Sequence, residues 1–171
     1  MQAGFWDFTL DFYGGEGVSE TLVRLQDECG LDVNLLLLAV WRGLQGRELA
    51  DGPGAEAAIA TWRQQVTEPL RALRRRLKQA DWTGLPDPLR QQAEGPFRDR
   101  VKDAELDSEK LTQAVLEALP AGAAGALPAD RAVAANLAAI RRTATDAAAA
   151  ARAEALCQHL AQAALRYAPS S

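Results

Sequence analysis

A chain of 171 residues with 48% hydrophobic and 25% charged side chains has the size and balance of a globular domain able to bury a sizeable core. Its formal net charge is −4, and no apolar run approaches the roughly 18 to 20 residues a membrane-spanning helix needs. The start, MQAGFWDFTLDFYGG, lacks the basic stretch and apolar core of a secretory signal, so a soluble, cytoplasmic protein is expected.

The charge is unevenly distributed. Residues 1–60 carry 10 acids and 3 bases (net −7), residues 61–102 carry 10 bases and 5 acids (net +5), and residues 103–171 carry 6 bases and 8 acids (net −2). Such a split bears on partners, or on one part of the chain attracting another, and not on fold. The two cysteines, Cys29 and Cys157, fit neither a metal-ligand spacing nor a disulfide framework, and are expected as buried free thiols.

In chain order, Phe5, Phe8 and Phe12 stand at i, i+3 and i+7 with Trp6, Leu10 and Tyr13 on an adjoining stripe, which predicts a helix ended by Gly14-Gly15. Ser19 is the expected N-cap of a second helix with Leu22, Leu25 and Cys29 inward and Gly30 as its stop. Asp32 then follows a terminating glycine and precedes four leucines. A carboxylate there accepts orphan amide hydrogens and suits the positive end of the helix dipole, so Asp32 reads as a cap. Asn34 falls in the first turn. Val33, Leu36, Leu37, Val40, Trp41 and Leu44 make one stripe, while Leu35 and Leu38 lie on other faces. A helix apolar nearly all round is a central helix packed on several sides.

After a turn at 51-DGPG-54, Ile59, Trp62 and Val66 mark a further helix. The stretch 67-TEPLRALRRRLKQ-79 either starts afresh with Thr67 as N-cap or continues that helix past a proline kink at Pro69. Leu70, Leu73 and Leu77 form its apolar stripe. Arg71, Arg74, Arg75 and Lys78 form a basic face, with Arg76 beside it. Residues 83–97, punctuated by prolines and glycines, read as short helical turns and loop. Ser108 is expected to cap a helix carrying Leu111, Val115, Leu116 and Leu119. The stretch 120-PAGAAGALPAD-130 is a small-residue loop, and an Ala-rich helical stretch runs from Asp130 to Ala168, with a break near 143-TATD-146. The expected fold is all-α, a compact multi-helix domain of about six to eight helices around the central apolar helix. Its expected organisation is a helical core over residues 1–119, a loop over 120–130, and an Ala-rich segment over 131–171 packed on the same domain.

The inventory for catalysis is thin. His159 is the single histidine and stands in no motif; P-loop, GxGxxG, HExxH, GxSxG and CxxC patterns are all missing. Asp103, Glu105, Asp107 and Glu109 alternate like a metal loop but lack the central glycine and distal glutamate of a calcium site, so they read as a solvated helix junction. Glu154 and His159 have the wrong spacing for a di-iron bundle. Neither a cofactor nor a metal is expected. The basic face of Arg71, Arg74, Arg75 and Lys78 is the strongest functional signal. Guanidinium groups there would suit an acidic protein, a nucleic-acid backbone or an anionic metabolite. The plainer account has these arginines paired with the acidic first 60 residues.

Three blocks, 5-FWDF-8, 25-LQDECGLDVNLLLLAVW-41 and 69-PLRALRRRLK-78, resemble a family of small proteobacterial proteins known as a domain of unknown function. The resemblance extends over about residues 4–119. It implies a bacterial cytoplasmic helical protein, assigns no activity, and marks Gln26, Asp32, Asn34, Trp41, Arg71, Arg74 and Arg75 as polar and aromatic members of the pattern. The leading expectation is a non-enzymatic interaction protein presenting the Arg-rich face to an acidic protein or nucleic acid. A rival is an enzyme or small-molecule binder in which Gln26, Asn34 and Arg71 hold an anionic ligand. A third is a structural homo-oligomer packed through the Ala-rich C-terminal helix.

Overall fold

The computed structural model describes residues 4–167, and its architecture is all-α. Helices α1 (Phe5–Tyr13), α2 (Val18–Cys29), α3 (Val33–Leu44) and α4 (Gly52–Trp62) are followed by a π-helical turn, Arg63–Thr67. Then come α5 (Glu68–Gln79), α6 (Asp87–Glu94), α7 (Pro96–Ala118), α8 (Ala129–Arg141) and α9 (Ala147–Arg166). Among the described residues there is no strand, only an isolated bridge between Leu49 and Ala121. The chain forms two units. One is built from residues up to Ala58 and from Gln113 onward, the other from Ile59–Thr112. The expected Ala168 end of the last helix lies outside the described residues.

The first unit is organised around α3. One carboxylate oxygen of Asp32 accepts the amide hydrogens of Asn34 (2.8 Å) and Leu35 (3.2 Å), so the polar pair ahead of the leucines starts the helix, as its position predicts. Every residue from Leu35 to Val40 is at most 1% exposed. Each buried leucine contributes roughly 1.5–3 kcal/mol. Helices α1, α2, α8 and α9 all pack against α3. Against α8 the approach is tight: a methyl group on Gly43 would lie 2.6 Å from the Val133 Cα, so backbone meets backbone there.

On α1 the i, i+3, i+7 aromatics point inward, with Phe5, Phe8 and Phe12 at most 4% exposed and Phe5 stacked on Trp41 at 5.2 Å between ring centroids. Leu10 and Tyr13 of the adjoining stripe are exposed instead. The start of α2 also differs from expectation. Gly17, at φ 72°, occupies the N-cap, and Ser19 sits inside the first turn without a capping hydrogen bond. A left-handed residue is needed to turn out of α1, and glycine supplies it without steric penalty.

The break at 143-TATD-146 falls between α8 and α9, where the Asp146 carboxylate accepts the Ala149 amide hydrogen at 2.7 Å. Ala149, Ala153, Cys157, Leu160 and Ala164 form the buried stripe of α9, which packs on α2 and α8. Small side chains allow these helices to approach closely, and the Ala-rich face is thereby used within the unit. The loop after α7 is pinned through its backbone. Gly122 N–H donates to Glu48 C=O, Gly125 N–H to Gln45 C=O, and Leu127 N–H to Gly46 C=O, at 2.9 to 3.2 Å.

The second unit has a small apolar cluster of Leu77, Ala93 and Val101, with Leu70 and Trp82 packed against it. The Trp82 indole N–H donates to Leu77 C=O at 3.1 Å. Several sequence-based expectations change here. Gly52 is already helical, so 51-DGPG-54 is a helix start. Of the two readings at Thr67 the continuous one holds: α4 runs through the π-turn into α5, and the Thr67 hydroxyl bonds Ser108 rather than capping. Ser108 is likewise no cap, because α7 begins at Pro96 and passes straight through it. Of the apolar residues that follow Ser108, Leu116 is buried, whereas Leu111 is 57% exposed and Val115 48%.

Candidate functional site: the basic face of α5

Helix α5 carries its bases on successive turns because Arg71, Arg74, Arg75 and Lys78 are spaced at i, i+3, i+4 and i+7. Its buried anchor is Leu77, while Arg71 and Arg74 flank the buried side and are half-buried. Both meet α7 within the second unit. The Arg71 Nε donates to Glu105 at 3.3 Å and its NH2 to Glu109 at 2.5 Å. Arg74 donates to both Glu105 oxygens. The bond to Glu105 holds the Arg74 guanidinium above its usual pKa. Glu105 is 8% exposed. Such a carboxylate tolerates burial only when paired, and two arginines supply the pairing. The partners of these arginines are thus carboxylates of the 103–109 stretch rather than of the first 60 residues, and that stretch is the middle of a helix, not a junction.

One turn further along α7 the seam continues as uncharged hydrogen bonds. The Ser108 hydroxyl accepts the Trp62 indole N–H at 3.0 Å and lies 2.7 Å from the Thr67 hydroxyl. Thr67 and Ser108 are 2% and 3% exposed. The π-turn displaces the helix by part of a turn, and Thr67, its last residue, is the one bonded to Ser108. With two arginines tied down, Arg75, Arg76 and Lys78 remain exposed, and none has an ion-pair partner among the described residues. Leu73, on the same helix, is 37% exposed.

The other residues singled out from sequence lie in the first unit. Asp32 is the α3 cap. Asn34 is 6% exposed and its side-chain oxygen accepts from Gln113 at 2.9 Å, while Gln113 accepts from the Thr9 hydroxyl at 3.0 Å. This buried relay joins α1, α7 and α3. Gln26 is half-buried and donates only to the neighbouring Asp27, at 3.4 Å. His159 borders a half-open cleft of about 720 Å³ together with Glu16, Glu20, Arg166 and Tyr167. The Tyr167 hydroxyl donates to Asp11 at 2.5 Å, and burial, reinforced by that carboxylate, raises its pKa to about 12. Burial raises the Cys29 thiol and takes Cys157 to about 11. Among the described residues no group of three or more potential ligands is placed to hold a metal ion. Nor is any described helix long and apolar enough to cross a membrane.

Two residues that hold the first unit together escaped the sequence reading. Arg42 is 2% exposed and donates to the carbonyls of Leu116, Glu117, Leu119 and Pro120 at the end of α7. Asn136, 1% exposed, donates to Ala39 and Arg47 carbonyls and accepts from Leu49 N–H. Glu105, read from sequence as solvated, is instead buried between two arginines. A single polar residue amid an apolar helical stretch was the available signal for Arg42 and Asn136.

Residues 4–116 match the model of a family described as a protein of unknown function (DUF2390). The chain belongs to this family. The matched DUF2390 region takes in α1 to α6 and most of α7, so the α3 core and the α5 seam both lie inside it, while α8 and α9 lie beyond. No curated protein and no solved structure matches the chain.

Proposed function

We propose that the chain is a non-enzymatic interaction protein of the bacterial cytoplasm that presents the outer side of α5 to an acidic protein surface. The observation carrying this reading is the division of labour along α5: Arg71 and Arg74 hold the helix to α7, whereas Arg75, Arg76 and Lys78 stand exposed without ion partners among the described residues. Fixing a helix through two of its bases orients the remaining cations, which lowers the entropy lost when they meet a partner. A protein partner fits better than nucleic acid. Residues 59–112 contain 11 bases and 9 acids, too balanced for the broad positive field that a phosphate backbone requires. The rival pocket loses support, because the Asn34 oxygen is taken by Gln113 and Arg71 by Glu105 and Glu109. A cytoplasmic setting agrees with two buried, unpaired thiols.

The test is affinity capture from a bacterial lysate, with wild type compared against R75E/R76E/K78E at low and high salt. The expected result is a set of proteins lost from the variant and weakened by salt. An identical set on both baits refutes the reading. Loss of the captured material on nuclease treatment would assign the face to nucleic acid instead.

A further inference from the structure

Resting on the α5 reading above, we propose that the acidic surface is carried by a second copy of this chain and is the outer face of its α2. Glu20, Val23 and Asp27 stand at i, i+3 and i+7 on α2 and are all exposed, Val23 at 43%. Glu16 is exposed just ahead of the helix. Glu28 is excluded from this set because Arg24 already holds it, at 2.7 Å. None of Glu16, Glu20 and Asp27 has an ion-pair partner among the described residues. On α5, Arg75 and Arg76 face away from the buried Leu77, with Lys78 at one edge of the exposed side and Leu73, 37% exposed, at the other.

The exposed charges of the two faces are therefore opposite in sign. The whole chain repeats this imbalance, since residues outside 59–112 contain 14 acids and 8 bases. Opposite charges on the two faces steer encounter and fix register. A pair of short helix faces falls below the roughly 1,200 Å² of a stable interface, so the association is weak and salt-sensitive. Two reciprocal contacts would close a dimer; a single one would continue into larger assemblies.

Sedimentation velocity on the full chain tests this, from about 5 to about 200 μM at low salt and again in about 0.5 M salt, a range suited to weak, screened contacts. Wild type should associate with rising concentration at low salt and return to monomer at high salt. R75E/R76E/K78E and E16K/E20K/D27K should each bind their own copies about tenfold or more weaker, and an equimolar mixture of the two should recover association, because each variant then offers one unaltered face to the other. All six positions are exposed, so circular dichroism should show both variants folded. Three results overturn the proposal: a wild-type monomer throughout the range, association unchanged in both variants, or a mixture no more associated than its components. A wild-type monomer that still loses its lysate partners on reversal of Arg75, Arg76 and Lys78 would overturn self-pairing alone and leave the α5 reading standing.

Discussion

Removing the Arg42 guanidinium should destabilise the first unit more than removing any exposed base. The side chain is 2% exposed and its NH2 lies 3.1, 3.3 and 2.5 Å from the carbonyl oxygens of Leu116, Glu117 and Leu119, while its NH1 lies 2.9 Å from that of Pro120. Those carbonyls belong to the last turn of a 23-residue helix and the two residues after its end, and that of Leu116 also accepts the Leu119 amide hydrogen at 3.2 Å. A cation there also meets the negative end of the helix dipole, worth up to about 2 kcal/mol in partly buried settings. Against this, taking a guanidinium out of water costs several kcal/mol. Burial lowers its pKa, yet an arginine stays charged at any working pH. Arg42→Met keeps much of the volume and removes both the bonds and the burial cost, which leaves the carbonyls as the net difference. The Leu116 carbonyl keeps the Leu119 amide, so one or two of the other three, all partly buried, are stranded at about 1–3 kcal/mol each. The expected loss is about 2–4 kcal/mol. Urea unfolding should show it as a midpoint lowered by roughly 1–2 M with an unchanged slope. Arg42→Lys keeps the charge on one nitrogen that cannot serve both sides of the fork, and should lose about 1–2 kcal/mol. A midpoint for Arg42→Met within about 0.3 M of wild type would refute the carbonyl-clamp account.

In the second unit, Glu105→Gln leaves Arg71 and Arg74 without their shared carboxylate and should cost about 1–3 kcal/mol, less than a fully buried pair because both arginines are partly solvated. Hydrogen exchange should quicken in α5 and the middle of α7, and unchanged protection there would contradict the assignment. Gly43→Ala forces a methyl group to 2.6 Å from the Val133 Cα, a backbone atom that cannot swing aside, so a loss of about 1–3 kcal/mol or more is expected in thermal or urea unfolding. Alkaline pH should also destabilise the fold. Tyr167 and Cys157 have folded pKa values raised to about 12 and about 11, so each favours the folded state fully below its unfolded pKa and loses that contribution as pH climbs through the folded value. Stability should therefore decline from about pH 9 upward, and Tyr167→Phe should flatten the upper part of that decline. A pH-independent unfolding midpoint between about pH 8 and 11 would contradict both shifts.

Local features of the first unit were legible in the sequence because they depend on neighbours a few residues away. The Asp32 cap, the Gly30 stop and the restart at Asp146 each follow from side-chain reach or backbone freedom within one turn. The leucine run after Asp32 announced a helix buried on every side, and it is the centre of its unit. The same local logic misplaced Ser19 and Ser108. A hydroxyl ahead of an apolar run looks like a cap whether or not the chain is already helical, and α7 simply continues through Ser108.

The basic face was visible as spacing, but which bases would be occupied was not. Glu105 and Glu109 come from α7, 31 to 38 residues beyond the arginines they hold, and no periodicity links the two segments. Arg42 reaches carbonyls 74 to 78 residues away, through backbone groups that carry no sequence signature at all. From the amino-acid order alone came the helices, their caps, the central apolar rod and the row of bases, since these rest on forces acting over one or two turns. Tertiary structure alone decided which polar groups are buried and answered, and so which cations are left to meet something else. Desolvation and pairing depend on segments that only folding brings together.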